Sequence, residues 1–270
     1  MKKTIKKIFL GKKAFQPIFE SLYRLALRGM NIGNGGDFTI SGEKNMLKII
    51  RTFFEKEATI TIFDVGANIG EYSEEIVHTF KGLPFNLYSF EPSKEAFAEL
   101  FKRKQLNLNT IHKIPLGLSN KEGLATIYTN TLGSKLGSLY QRVVPHRQFD
   151  LKEQVTLTTI DSFCSKKSIT HINFLKLDIE GNELQTLVGA QKMLSSNSID
   201  IIQFEFGGAN IDGRTYLRDF FVTLGKNYIF YRILRDGLWK ISSYGEHWEL
   251  FSVTNYLAVR KELTQSLEKI

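Results

Sequence analysis

The sequence of 270 residues lacks the features that would assign it to several common classes of protein. Its single cysteine, Cys164, excludes an internal disulfide framework and a cysteine-cluster metal site, and it suits a reducing, cytoplasmic compartment. No stretch approaches the roughly 18–20 apolar residues of a membrane-spanning helix. The glycine-rich phosphate loop followed by Lys-Ser/Thr and the G-x-S-x-G hydrolase turn are also missing, so neither chemistry is expected.

Negative charge is absent from the first 13 residues, which contain six lysines. The whole chain carries +8, so only +2 remains for the rest of the chain. A nucleic-acid-binding protein usually has a broad basic surface, so nucleic acid is not expected as a partner. Hydrophobic residues make up 42% of the chain, which is enough to build a sizeable core.

Apolar residues recur at helical spacing behind the lysines, at Phe15, Ile18, Phe19, Leu22, Leu25 and Ala26. The shorter apolar run before them stops at Gly11, too early for a secretory signal. Two interpretations stay open: a helix packed on the main domain, or a peripheral helix lying on anionic lipid. Turn-forming residues fill 31–42, so we expect an N-terminal helical extension over 1–42 and one domain over 43–270.

Segments of strand and helix character alternate at least four times in the second part of the chain. The strand-like segments are 59–65, 86–90, 111–118, 173–178 and 200–206. Shorter ones at 124–129 and 155–160 flank a long loop, and those at 228–234 and 253–259 close the chain. This alternation predicts an α/β fold with a doubly wound, mostly parallel sheet covered by helices on both faces. Ligands of such folds bind beyond the carboxyl ends of the strands, so the polar residues at those ends are the first candidates for a site.

The first predicted strand ends in the segment 64–70, Asp-Val-Gly-Ala-Asn-Ile-Gly. Gly66 and Gly70 allow a tight turn and a close approach of ligand to backbone. Asn68 stands where the G-x-G-x-x-G turn of dinucleotide-binding proteins has glycine, which argues against a nicotinamide cofactor. Asp64, just before the turn, suits a ligand that carries an ammonium group.

Acidic residues also follow the other predicted strands. Glu91 ends the second strand, where a carboxylate can accept two hydrogen bonds from a ribose diol; alternatively, it is only an acidic neighbour of the helix N-cap Ser93. Asp178 and Glu180 follow the fourth strand, and Glu205 lies in the fifth. These three could act as a general base, bind substrate or hold a hard divalent cation, and the first two could simply stabilise a helix N-terminus.

Taken together, four motifs resemble the FkbM family of S-adenosylmethionine-dependent methyltransferases. They are FDVGANIGEYS at 63–73, SFEP at 89–92, FLKLDIEGNEL at 174–184 and QFEFG at 203–207. The resemblance, over about residues 61–260, implies a Rossmann-like class I methyltransferase fold with a seven-stranded sheet and an antiparallel last strand. It also implies S-adenosylmethionine as cofactor. Its methionine side would contact Asp64, Gly66, Asn68 and Gly70; its ribose would contact Glu91 and its adenine Ser119.

The same resemblance implies O-methylation of a hydroxyl on a sugar, glycan or natural-product acceptor. Methyl transfer requires in-line alignment and removal of the hydroxyl proton, so Asp178, Glu180 and Glu205 are the candidate catalytic residues. The long loop 130–154 is predicted to cover the acceptor. Two alternatives stay open: a non-catalytic scaffold with this fold that serves glycan assembly, and a nicotinamide-dependent oxidoreductase.

Overall fold

The computed structural model describes residues 9–36, 38 and 40–270; the first eight residues of the basic segment lie outside this range. The helices are α1 (Gln16–Gly29), α2 (Glu43–Phe53), α3 (Glu71–Thr79), α4 (Lys94–Lys102), α5 (Ile160–Lys167), α6 (Glu183–Val188), α7 (Gln191–Ser195), α8 (Ala209–Asp212), α9 (Leu217–Leu224) and α10 (Thr264–Leu267). The strands are β1 (Ile60–Val65), β2 (Phe85–Phe90), β3 (Ile111–Ile114), β4 (Gly117–Leu118), β5 (Gly123–Thr129), β6 (Leu151–Thr158), β7 (Ile172–Leu177), β8 (Ile199–Phe206), β9 (Tyr228–Leu234), β10 (Gly237–Ile241) and β11 (Thr254–Arg260).

The large sheet has the strand order β10-β9-β11-β8-β7-β1-β2-β3. From β3 to β8 the neighbours are parallel, whereas β11 is antiparallel to both β8 and β9. The doubly wound α/β fold and its antiparallel last strand are therefore confirmed. The sheet has eight strands instead of the predicted seven, because the chain turns after β9 and adds β10 as an antiparallel edge strand.

Successive side chains of the central strands pack on opposite faces of the large sheet. In β1, Ile62 belongs to one buried cluster and Phe63 to the other; in β7, Phe174 and Leu175 divide in the same way. All six residues of β7 are buried. Such nearly continuous apolar runs are typical of parallel strands covered by helices on both faces. The central strands thus provide a rigid base for the residues at their carboxyl ends.

The strand predicted over 111–118 is divided between two sheets. It forms β3 in the large sheet, is interrupted at Pro115, and continues as β4 in a three-stranded sheet with the order β4-β6-β5. Proline has no N–H to extend the ladder, which explains the break. This small sheet places its apolar residues Ile127 and Leu157 beside the carboxyl end of the large sheet.

The N-terminal extension has two structurally different parts. No residue of α1 is buried. By contrast, Ile32 is 3% exposed, and Asn31 Nδ2 donates hydrogen bonds to the carbonyl oxygens of Ser41 at 2.8 Å and Ile233 at 3.0 Å. The segment after α1 is therefore built into the domain. Within the described part of the chain, none of the helices has the length and apolar character needed to cross a bilayer.

Candidate active site

The turn between β1 and α3 brings the backbone against the end of β7. Gly66 has φ +84°, and a Cβ atom at this position would lie 1.9 Å from the carbonyl oxygen of Asp178. Gly70 also has a positive φ, +91°, and its absent Cβ would meet Leu100 at 2.7 Å. Because only glycine combines this conformation with so close an approach, the spacing of the motif follows from two contacts, that of Gly66 with the end of β7 and that of Gly70 with α4.

Asn68 lies at the tip of this turn with φ +46°. Its backbone N–H donates to Glu91 Oε2 at 2.8 Å, and its Nδ2 donates to the Gly133 carbonyl oxygen at 3.3 Å. Its Oδ1 is buried and has no hydrogen-bond partner among the described residues. Asn68 therefore joins the first two strand ends to the long loop and retains one free acceptor.

The Asp64 carboxylate is fully buried behind the turn. Oδ2 accepts a 2.6 Å hydrogen bond from Ser73, and Oδ1 lies 3.5 Å from Lys176 Nζ. Asp64 was expected to face the ammonium group of a ligand, but the ammonium group beside it is that of Lys176. The predicted contact between Asp64 and the cofactor stays a prediction, because Asp64 is not among the residues that line the adjacent cavities.

Glu91 lies at the end of β2, is 6% exposed and lines a cavity. Its Oε1 accepts from the backbone N–H of Ser93 at 2.9 Å, and its Oε2 accepts from that of Asn68. Burial raises the pKa of Glu91 to about 7, while these two hydrogen bonds act to lower it. Each carboxylate oxygen has a second lone pair, so Glu91 can still accept hydrogen bonds from a ligand.

The first cavity lies between the carboxyl end of the large sheet and the small sheet. It encloses about 730 Å³, including its open mouth, and its wall includes Gly66, Asn68, Glu91, Ser93, Leu118 and Leu157. Small-molecule sites usually have mostly apolar walls with a few polar groups, as this cavity does. The Ser93 Oγ atom is buried here without a partner in the described part of the chain.

Ser119, the predicted adenine contact, does not line the first cavity, although residues 116–118 immediately before it do. Its backbone N–H instead donates to the Thr158 carbonyl oxygen at 2.9 Å, which extends the pairing of β4 with β6. The wall at this end is apolar, with Leu118, Ile127 and Leu157 from the small sheet. Sequence reasoning placed these three residues in predicted strands but did not identify the separate sheet that brings them to the cavity.

A second cavity shares one wall with the first. Its lining includes Gly35, Phe38, Glu43, Tyr72, Lys176 and Glu205. Five residues line both cavities: Gly66, Asn68, Lys135, Asp178 and Glu180. The connector after α1 therefore forms part of the site, which its turn-rich composition had not indicated.

The structure brings all three predicted catalytic carboxylates to the second cavity. Asp178 Oδ2 lies 3.2 Å from Lys176 Nζ. Glu180 has φ +51°, and its Oε2 accepts from Arg142 Nη1 at 2.5 Å. Burial and the neighbouring Asp178 raise the pKa of both Glu180 and Glu205, the latter well above its usual value. The second cavity thus contains carboxyl groups with unequal proton affinities.

Lys176 is a component of the site that sequence reasoning had not identified. It lies in β7, is 4% exposed, and its Nζ is 4.3 Å from the centre of the Tyr72 ring. Burial opposes its charge, yet Asp178, Asp64 and Glu43 together raise its pKa. The ammonium group therefore stays charged and offsets part of the negative charge behind the shared wall. The sequence did contain a signal for this residue, because a lysine between two leucines is unusual in a segment predicted to be a buried strand.

The carboxylates of the site were also considered as ligands for a divalent cation, and their arrangement bears on that alternative. Among residues 9–36, 38 and 40–270, no group of three or more His, Cys, Asp or Glu side chains is placed to hold a metal ion. Glu180 is paired with Arg142, and Asp178 with Lys176. These carboxylates are thus arranged as ion pairs.

The segment that builds this geometry matches a known family. Residues 64–251 match the model of the methyltransferase FkbM domain, which is well over half of the chain. The chain belongs to the FkbM methyltransferase family. The predicted resemblance is confirmed, and methyltransferase activity is the function associated with this family.

Individual relatives of this FkbM-family chain are distant, and it spans less than two thirds of the length of the first two. It is 24% identical over 170 residues to the hexuronic acid methyltransferase AglP of Haloferax volcanii, and the match covers 62% of this chain and 64% of that protein. The methyltransferase FkbM from Methylobacillus flagellatus KT has 17% identity and a TM-score of 0.49, over 74% of this chain and 44% of that chain. A putative rRNA methylase from Clostridium thermocellum has 11% identity and a TM-score of 0.41, over 78% of this chain and 92% of that chain.

Proposed function

We propose that this FkbM methyltransferase uses S-adenosylmethionine to methylate a hydroxyl group on a sugar, glycan or natural-product acceptor. The observation that carries the proposal is the wall shared by the two cavities, which includes Gly66, Asn68, Asp178 and Glu180. Methyl transfer requires donor and acceptor to be held in line across one boundary. Two adjoining cavities provide that arrangement, with the cofactor in the first and the acceptor in the second.

The polar groups of the first cavity fit the nucleoside part of the cofactor. Glu91 would accept hydrogen bonds from the ribose hydroxyls, as an acidic residue at the end of a second strand does in related folds. The apolar side chains of Leu118 and Leu157 would flank the adenine. Asn68 Oδ1 and Ser93 Oγ, which lack partners among the described residues, would gain hydrogen bonds from a ligand.

The shared wall suits a positively charged sulfur. When bound, S-adenosylmethionine supplies a methyl group that is electrophilic because its sulfur carries a positive charge. Asp178 favours positive charge at the wall through its partly exposed carboxylate, whereas the charge of Glu180 is offset by Arg142. Asp64 would act from behind the wall by holding Lys176 and Ser73 in place.

Removal of the acceptor proton is assigned to the second cavity. Glu205 lines this cavity, and its raised pKa makes the ionised form a stronger base than an ordinary carboxylate. It would take the hydroxyl proton as the oxygen bonds to the methyl carbon. Asp178, held by Lys176 at 3.2 Å, would orient the hydroxyl through a hydrogen bond.

The assignment of a sugar-like acceptor has two supports. The second cavity combines the aromatic rings of Phe38 and Tyr72, 5.5 Å apart, with several carboxylates, a composition suited to a polyhydroxylated ring. In addition, the distant curated relative is named for methylation of a hexuronic acid. The long loop predicted to cover the acceptor contributes Lys135 and Leu136 to this cavity and also borders the first one.

Calorimetric titration with S-adenosylmethionine and transfer of a labelled methyl group to sugar nucleotides, glycolipids and small alcohols test the proposal. We expect binding and transfer, with Asp178→Asn reducing turnover more than cofactor affinity. The exposed Glu246→Gln variant is the matched control and should leave both unchanged. Absence of binding would support the scaffold alternative instead. Binding of NADH, followed by its fluorescence, would support the oxidoreductase.

A further inference from the structure

Helix α1 presents an apolar surface to solvent. Ile18, Leu22 and Leu25 are 56%, 53% and 67% exposed. Their spacing of four and three residues places them on one side of the helix, together with Phe19 and Ala26. Isolated apolar residues are common on protein surfaces, but a continuous apolar stripe along a whole helix indicates an interaction surface.

The opposite side of α1 is polar and mostly basic. Glu20, Arg24 and Arg28 follow each other at intervals of four residues. Lys12 and Lys13, just before the helix, are exposed. Residues 1–30 together carry +7 of the net +8 of the chain. Positive charge is thus concentrated in the part of the chain that exposes this apolar side.

We propose that α1 docks in the plane of an anionic lipid surface, with the Ile18–Leu22–Leu25 side facing the acyl chains. An apolar stripe inserts at the boundary between headgroups and acyl chains, while neighbouring lysines and arginines attract anionic headgroups. A helix of 14 residues is about 21 Å long, which is shorter than the hydrocarbon layer, so it lies on the membrane instead of crossing it.

The attachment of α1 places this docking surface near the second cavity. The chain leaves the helix through residues 30–34 and reaches Gly35, which lines that cavity. Gly33 and Gly35 both donate backbone hydrogen bonds to the Val253 carbonyl oxygen, at 3.1 and 3.0 Å. The docking itself is independent of the proposed methyl transfer, because it rests only on the exposed stripe and on the charge.

Co-sedimentation of the full chain with vesicles tests the docking. We expect binding to phosphatidylcholine vesicles that contain phosphatidylserine to be at least about tenfold tighter than binding to pure phosphatidylcholine vesicles, and to weaken as salt is added. The double variant Leu22→Glu/Leu25→Glu should lose binding at least about tenfold, because it puts charge into the apolar stripe.

The matched control is Gln16→Glu/Ser21→Glu, which makes the same change in net charge at exposed positions outside the stripe. It should retain most of the binding. Equal loss of binding in both variants would show that only net charge matters, and it would overturn the insertion of the stripe. Unchanged binding in Leu22→Glu/Leu25→Glu would overturn the insertion as well. Light scattering that shows a dimer dissolved only by Leu22→Glu/Leu25→Glu, without vesicle binding, would assign the stripe to a second copy of the chain.

Discussion

The protonation of Glu91 controls how well it can accept ribose hydrogen bonds. Burial raises its pKa to about 7. A ligand that donates hydrogen bonds favours the ionised form of Glu91. At lower pH, Glu91 must first lose its proton, and this makes the binding free energy less favourable. We therefore expect the affinity for S-adenosylmethionine, measured by calorimetry, to fall as the pH decreases below about 7 and to be nearly constant above it.

Glu91→Gln provides the comparison, because it keeps the size of the side chain and cannot ionise. Its affinity should be lower throughout, and the pH dependence near neutrality should disappear. The loss should be a few kcal/mol, since hydrogen bonds to a charged acceptor contribute about 1.5–3 kcal/mol each. A variant that keeps the pH dependence would assign the titration to another group.

Gly66 can be tested against a glycine of the same backbone conformation. Gly66→Ala combines a positive φ with a Cβ atom 1.9 Å from the Asp178 carbonyl oxygen, whereas Gly82→Ala, at φ +87°, has no atom within 4 Å. Gly82→Ala should cost about 1–2 kcal/mol in the free energy of unfolding, from its backbone conformation alone. Gly66→Ala should cost clearly more and abolish cofactor binding. Denaturant unfolding of both variants measures the difference, and equal costs would contradict the close approach.

The connector after α1 packs into the domain, and we propose that the extension ends near residue 30 instead of residue 42. A chain that begins at Met30 keeps the buried Ile32 and the hydrogen bonds of Asn31, whereas a chain that begins at Glu43 loses both. We expect the first to unfold at nearly the temperature of the full chain. The second should lose about 3 kcal/mol or more. Equal thermal stability of both shortened chains would restore the boundary at 42.

The long loop between β5 and β6 is held over the site by the ion pair of Arg142 with Glu180. Both side chains are mostly buried, so removing one partner leaves a charge unpaired. Arg142→Gln should therefore loosen the loop, increase its cleavage by chymotrypsin, which does not cut at the substituted arginines, and raise the KM for both substrates. Arg147→Gln, an exposed position in the same loop, is the control and should change neither. Unchanged cleavage in Arg142→Gln would show that other contacts hold the loop.

The buried carboxyl groups affect the stability of the whole molecule. Burial raises the pKa of both Glu91 and Glu183 from the ordinary value of 4.5 to about 7. The folded state thus binds these protons more tightly than the unfolded state does. Their contribution to stability is fully present below about pH 4.5 and is lost as the pH rises through about 7.

Without ligands, the free energy of unfolding should therefore fall between about pH 5.5 and about pH 8, by about 2 kcal/mol for each such group. Urea unfolding across this range measures the change. Glu183→Gln should reduce the dependence on pH, whereas the exposed Glu57→Gln should leave it as it is. A free energy that rises over the same interval would show that other ionisable groups dominate.

Most of the architecture was predictable because its signals are local. A parallel strand covered on both faces is a short apolar run, and a tight turn requires glycine at fixed spacing, so the alternation of strands and helices and the motif at 64–70 are visible without a structure. The acidic residues Glu91, Asp178 and Glu205 were identified in the same way, as the polar residues at strand ends. The split at Pro115 was missed because the apolar pattern continues across the break. The strands at 124–129 and 155–160 were predicted, but not their pairing in a separate small sheet.

The sequence by itself thus determined the fold class, the family and the strand ends at which the candidate site lies. The tertiary structure decided which way the side chains face and which distant residues meet. It turned Asp64 inward towards Lys176, left Ser119 outside the cavity wall, and brought Glu43 and Glu205 to one cavity. Periodicity along the chain reports the neighbours within one element, whereas contacts between elements depend on how strands are ordered and packed in space.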